Sequence, residues 1–192
     1  MARNNDKKDR LVSAAAKLFW HHGFSGASIK DIATEADVPL GNVYYYFPDK
    51  ARLALAVADI FTLETDAMLE EISKAVADPR KRLVQLFGRL ASSDSSRVEH
   101  GCPIALAARD FRGPAPDAAD RAAEAFSNLI VWIARQRRAM GERPSLALAD
   151  ARLAIIEWQG AIAVAHALQE PTMLAEAHRR IRRNLTAKIR LH

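Results

Sequence analysis

A single cysteine, Cys102, stands among 192 residues, which excludes an intramolecular disulfide and gives no sign of an oxidising compartment. Long apolar runs are also missing. The longest, Leu153 to Leu168, carries Glu157, Gln159 and His166 and is too short to span a bilayer, so no membrane partner is expected. Residues 1–10 are polar and charged with no hydrophobic stretch behind them, so a secretory leader is not expected. Val-rich alternation over four or more residues does not occur, which argues against strands. No Gly-rich phosphate loop, nucleophile–base pair or metal-ligand spacing stands out, so neither a catalytic residue nor a metal or other cofactor is assigned. His100 and Cys102 flank Gly101, but no second cysteine or matched histidine pair joins them. Cys102 therefore reads as a small hydrophobe at a helix start. No internal repeat is visible.

Alanine is plentiful, with 37 residues, and it favours helix and lets helices approach closely. At this length one or two domains can build a core without staples. The formal charge is +5 and the pI near 9.6, which suggests nucleic acid. The surplus is nevertheless local. Residues 1–50 carry a net +1, residues 51–177 a net −2, and residues 178–192 a net +6.

Breakers at Gly23 to Gly26, Asp37 to Gly41, Pro48, Asp78-Pro79, Ser92 to Gly101, Gly113 to Pro116, Gly141 to Pro144 and Pro171 separate segments of helical spacing. Leu11, Ala15, Leu18, Phe19 and His22 form the first stripe. Ile29, Ile32 and Ala33 form a short second helix with Ser28 as N-cap, and Leu40 to Tyr46 a third. Asp49 caps a long fourth helix. Five more run from about Pro79 to Ala91, Cys102 to Phe111, Asp117 to Met140, Ser145 to Leu168 (Ser145 as N-cap) and Thr172 to Leu191. The expected fold is all-α with about nine helices. A three-helix head spans residues 1–48 and a larger body spans 49–192, with the division at the turn around Pro48.

Within the head, Ser28 to Tyr46 reads SIKDIATEADVPLGNVYYY, two short helices about a four-residue turn, as in a helix-turn-helix. Ala33 is small where the helices approach, and Val38 and Val43 can fill the angle between them. Asp37 tolerates the left-handed backbone that the turn requires. An ordinary αα corner is the alternative. The run AAAKLFWHHGFSGASIKDIATEADVPLGNVYYYFPDKARL, within residues 9–55, resembles the DNA-binding domain of the TetR family of transcriptional regulators, in register across three helices. The downstream residues agree with that family only in length, helix count and all-α character. Two positions depart from its pattern: Asp37, where glycine is usual, and Leu40, where a long polar side chain is common.

The resemblance implies a recognition helix beginning near Pro39 that enters the major groove of double-stranded DNA, with Leu40, Gly41, Asn42 and Tyr45 toward the bases. Asn42 can pair bidentately with adenine, Leu40 can meet a thymine methyl, and Gly41 admits close backbone approach. Tyr44 and Tyr46 would offer hydroxyls to phosphates, and Ser28, Lys30 and Lys50 would be further clamps. Three of these have a structural alternative: Tyr44 and Tyr46 as core, and Lys50 as a solvated first-turn residue. The arm with Arg3, Lys7, Lys8 and Arg10 could touch DNA or remain solvated.

The resemblance further implies a homodimer built on the last two long helices. In the eighth helix, Leu153, Ile156 and Gly160 belong to an apolar sequence reaching nearly all round, which reads as buried on several sides. In the ninth, Ala177, Ile181 and Leu185 lie on one stripe, opposite the basic residues Arg179, Arg180, Arg182, Arg183, Lys188 and Arg190. Helices four to eight would enclose a small-molecule effector, with candidate lining groups Phe61, Met68, Phe87, Cys102, Phe111, Phe126, Trp132 and Trp158. That apolar, aromatic set favours a hydrophobic effector. The expected function is a cytoplasmic, ligand-responsive repressor on a palindromic operator, and not an enzyme. The alternative is a DNA-binding interaction or architectural module without an effector.

Overall fold

The computed structural model describes residues 2–187, with side chains from Asp6 onward, so Arg3, Lys188, Ile189 and Arg190 lie outside the described side chains. Ten helices and no strand occur among the described residues. They are α1 (Ala2–Gly26), α2 (Ile29–Glu35), α3 (Leu40–Tyr46), α4 (Lys50–Ala75), α5 (Pro79–Ala91), α6 (Asp94–His100), α7 (Pro103–Asp110), α8 (Pro116–Ala139), α9 (Pro144–Leu168) and α10 (Pro171–Thr186). The all-α expectation holds. The helix beyond the expected nine is α6, inside the Ser-rich stretch read as a break. It has no side-chain cap, and seven residues are too few to be helical alone. Its packing on α9 and α10 supplies what local propensity does not.

Packing divides the chain into two compact units. The first comprises residues 1–63 with 103–125, and the second residues 64–102 with 126–192. This boundary falls within α4 and α8 rather than at Pro48. The reason is that Leu53, Ala54, Val57 and Ala58 of α4, Phe111 after α7, and Ala118, Ala119 and Ala122 of α8 share one core with the first three helices.

In the first unit, α1 buries Leu11, Val12, Ala15 and Phe19, while His22 stays exposed. Gly23 adopts φ 72°, and a Cβ there would lie 3.1 Å from Asp110 Oδ2, so both backbone angle and neighbour favour glycine. The break brings Phe24 inward, where Phe19, Phe24 and Phe111 form a three-ring cluster with centroids 5.4–5.5 Å apart. Asp49 caps α4 by accepting from the Arg52 amide at 2.7 Å. Buried Thr62 donates to the Arg121 carbonyl of α8 at 2.9 Å.

In the second unit, α10 packs on α9 and α5 and buries Leu174, Ala177, Ile181 and Leu185. Gly141 takes φ 99° after α8. The following helix starts with Pro144 at its first position and Arg143 as its N-cap residue, so Ser145 lies inside α9 rather than capping it. Arg137 of α8 is buried, and its guanidinium donates at 2.8 Å to Glu142, to Asp150 of α9 and to the Leu185 carbonyl of α10. Glu142 is itself only 10% exposed, so it depends on this partner. Replacing Arg137 by Met should therefore destabilise the protein by about 3–5 kcal/mol, the usual cost of stranding a buried charge, as measured by urea denaturation.

Candidate nucleic-acid interface

The first unit presents α3 on a scaffold dictated by small and branched residues. Ile32, Ala33 and Ala36 of α2 and its end, with Val38, Val43 and Phe47, are all buried in the same core as α1. Ser28 forms a capping box for α2: its hydroxyl accepts from the Asp31 amide at 3.1 Å and donates to Asp31 Oδ2 at 2.6 Å. The same carboxylate accepts from the Ser28 amide at 3.0 Å. Asp37 occupies the turn at φ 50°, the left-handed conformation expected there. Arg10 of α1 holds this turn by donating to the Asp37 carbonyl at 3.1 Å and pairing with its carboxylate at 3.6 Å. The Val38 amide closes the turn on the Ala33 carbonyl at 3.0 Å.

With Val43 and Phe47 inward, α3 turns Leu40, Gly41, Tyr44 and Tyr45 outward, and Tyr45 is 76% exposed. Asn42 is half-buried beside them. A Cβ on Gly41 would meet nothing within 4 Å, so the chain's own packing does not require glycine there. Tyr44 is exposed rather than core. Tyr46 is half-buried against the core, its ring edge-on to Tyr45 at 5.1 Å. Lys30 is exposed on α2.

Two proposed clamps have prior engagements. The Ser28 hydroxyl proton is taken by Asp31, whose carboxyl is held below its ordinary range by the Ser28 hydroxyl and then the Ser28 amide. The Lys50 ammonium is directed inward onto the Phe24 carbonyl and lies 4.3 Å from the Phe24 ring centroid. Burial lowers its pKa. It is therefore neither the solvated residue nor the outward clamp that its first-turn position suggests. The cause is the break at Gly23, which frees a carbonyl and two ring faces in its path.

The body residues separate. Phe61 and Phe111 belong to the first unit, and Phe111 is fully buried in the three-ring cluster, so it is core there rather than a wall of a body cavity. Met68, Phe87, Cys102, Phe126, Trp132 and Trp158 lie in the second unit. Met68 and Phe126 are half-buried and the other four buried. Trp132 donates to Ser73 Oγ at 2.9 Å. Of the expected dimer residues, Leu153 is 62% and Ile156 66% exposed, and Gly160 is open. The expectation that α9 is buried on several sides is corrected: one side packs Ala151, Ala154, Ile155, Trp158 and Ile162, and the other is bare. Ala177, Ile181 and Leu185 are also corrected. They are buried in the chain's own core, because the apolar stripe of α10 faces α9 and α5. Sequence reasoning passed over Arg97 and His178, a half-buried and a buried polar group where α6, α9 and α10 pack together. Their spacing carries no pattern that marks them.

Residues 11–57 match the family described as bacterial regulatory proteins, tetR family, and residues 79–180 match the C-terminal domain of LmrA/YxaF-like transcriptional regulators. The chain belongs to the TetR family. It is a transcription regulator with a helix-turn-helix DNA-binding domain rather than an enzyme. An uncharacterised HTH-type transcriptional regulator of Mycobacterium tuberculosis is 29% identical over 189 residues, covering 95% of each chain. The HTH-type transcriptional regulator LmrA of Bacillus subtilis is 29% identical over 108 residues, covering 55% of this chain and 57% of that one. A TetR transcriptional regulator from Chloroflexus aurantiacus shares the fold at a TM-score of 0.84 and 24% identity, over 100% of both chains. Another, from Legionella pneumophila, does so at 0.82 and 23%, over 92% of this chain and 96% of that one.

For this TetR head the capping box yields a test. Ser28→Ala should cost about 1 kcal/mol of stability, as loss of an N-cap does, by chemical denaturation. A group whose folded pKa is depressed adds stability above its unfolded pKa and loses it as pH falls through the folded value. The Asp31 carboxyl should therefore titrate nearer its ordinary value in S28A, read by NMR. The acid-side loss of stability due to this group should shrink with it.

Proposed function

We propose that this TetR-family regulator is a homodimeric repressor that reads a palindromic operator in double-stranded DNA and is released by a small-molecule effector. The observation that carries the reading is the outward face of α3, where Leu40, Gly41, Tyr44 and Tyr45 stand free on a rigid base. Asn42 and Leu40 read base edges, Gly41 admits the backbone, and Tyr44, Tyr45 and Tyr46 contact the flanking groove or phosphates. Lys30 clamps phosphate directly. Ser28 contributes by fixing the start of α2. Lys50 reaches phosphate only by leaving the Phe24 carbonyl. The DNA-reading head is residues 1–48, and the remainder carries dimerisation and effector binding.

One such helix contacts few bases, so affinity and specificity require two heads spaced for successive major grooves. The bare stripe Leu153, Ile156, Gly160, Val164 and Leu168 on α9 supports the dimer, since contiguous exposed apolar surface marks an interaction site. An effector that prefers one conformation shifts the population away from the DNA-binding one. No helix of the described residues is long and apolar enough to cross a membrane, and the protein acts in the cytoplasm, where its operator lies.

Selection of bound sequences from random DNA should return a palindrome, and a lack of enrichment would refute the dimeric reader. On that operator, Asn42→Ala should lose about 1–3 kcal/mol and relax preference at one base position of each half-site. Lys30→Ala should weaken binding to all sequences alike and reduce the salt slope by about one. Ile156→Asp should give a monomer by sedimentation velocity while helicity is retained, and its operator affinity should collapse.

A further inference from the structure

Among α5, α6, α9 and α10 of the second unit lies a cluster of buried and half-buried polar groups whose hydrogen-bonding capacity is incompletely used. Arg97 of α6 is 13% exposed at its side chain. It donates one terminal nitrogen to the Leu90 carbonyl and has one carboxylate near it, Asp94, at 3.8 Å. Its Nε has no partner. The guanidinium carbon lies 5.2 Å from the centroid of the Trp158 ring, and the Trp158 indole N–H is buried and equally without an acceptor. Across the cluster, His178 of α10 is buried, contacts Asp94 Oδ1 through Nε2 at 3.1 Å and leaves Nδ1 unpartnered. Asp94 is thus shared between Arg97 and His178. Phe87 closes the cluster, its ring 6.1 Å from that of His178.

Arg137 provides the internal comparison. Its Nε is unpartnered as well, but its terminal nitrogens meet two carboxylates and a carbonyl at 2.8 Å. Arg97 has one carbonyl and a distant, shared carboxylate for the same charge. A buried N–H without an acceptor forfeits the hydrogen bond it would make in water, and native interiors rarely leave several together. Burial is the largest influence on Arg97 and acts against its charged form. Two neighbouring donors, one cationic, call for acceptor oxygens carrying negative charge, and the Phe87 ring on the same cluster suits an apolar remainder.

We infer that Arg97 and Trp158 form the polar end of the effector site and hold the carboxylate of a small organic acid, with the acid's apolar frame among the neighbouring aromatic and aliphatic side chains. The carboxylate accepts from the Arg97 guanidinium and from the Trp158 indole N–H. The effector is then an amphiphilic acid rather than the wholly hydrophobic molecule that the aromatic content suggests. The inference rests on the reading that the second unit receives a small molecule.

The test is isothermal titration of the full chain, without DNA, with benzoate, 1-naphthoate and octanoate, each beside its neutral amide. At least one acid should bind ten-fold or more tightly than its amide. Trp158→Phe, which keeps a ring and removes the N–H, should weaken that acid about ten-fold and leave the amide unchanged. Arg97→Gln should abolish the preference, and the phenylalanine variant serves alone if R97Q fails to fold. If no acid outbinds its amide, or W158F binds the acid as the parent does, the site is refuted. Operator affinity measured with and without the acid is a separate readout. An acid that binds but leaves operator affinity unchanged overturns ligand release and not the site, whereas a parent chain that binds its operator but shows no preference for any acid over its amide overturns only the site.

Discussion

Seven residues cannot hold a helix by themselves in water, and everything α3 presents depends on how its other side is buried. Val43 is fully enclosed, Phe47 ends the helix in the same core, and Val38 enters from the turn, all against Ile32, Ala33 and Ala36. The exposed side chains are consequently fixed in direction by contacts they do not make. The left-handed turn at Asp37 is the weak joint in this arrangement, because an L-residue is there at some cost. Arg10 compensates by gripping both its carbonyl and its carboxylate. A positively charged residue of the N-terminal segment is thereby engaged with the turn between α2 and α3.

The parts of the fold legible in the sequence are those decided locally. Ser28 before a short apolar stripe, Asp49 before a long one, and the glycine at 141 all announce helix ends through groups within one turn, and the structure uses each as such. Arg143 shows the limit. Pro144 is at least as good a start as Ser145 is a cap, and the helix begins there. Helix α6 was illegible for the opposite reason, since its stability comes from α9 and α10 and little in DSSRVEH reports it. Gly23 looked like a boundary, but no sequence rule says that the chain beyond it would turn Phe24 into the core and offer a carbonyl to Lys50, 26 residues away.

Periodicity also fails to say which apolar surface belongs to which partner. Leu153 and Ile156 on α9 and Ile181 and Leu185 on α10 are equally apolar and equally well spaced, yet the first pair is exposed and the second enclosed. The asymmetry follows from the neighbouring residues. Helix α10 has one apolar stripe and surrounds it with arginines, so it has one face to bury, and α9 and α5 bury it. Helix α9 has apolar residues on two sides and can satisfy the chain's own core with one of them. What remains on the other is unexplained by the monomer. The basic surplus of residues 178–192 lies partly on this same α10, away from α3 in sequence, so the pI near 9.6 describes the end of the chain more than the reader of DNA.

Two arginines of the second unit are provided for differently, and the difference lies in how far the chain itself supplies their acceptors. Arg137 draws together α8, α9 and α10 through acceptors supplied by the chain, and every terminal contact is short. Such a group is expensive to bury but, once surrounded, has nothing further to gain from a ligand. Arg97 is half-buried in the same unit with weaker provision, its guanidinium over an indole whose own buried N–H has no acceptor. If both arginines served only to join helices, the second would be the poorer solution to the same problem, and apolar residues would fill its place at less cost. The deficit has a physical use if the missing acceptors arrive from outside. A ligand that supplies them recovers the hydrogen bonds the chain forgoes, and preference for the conformation in which it can do so couples its binding to the rest of the molecule.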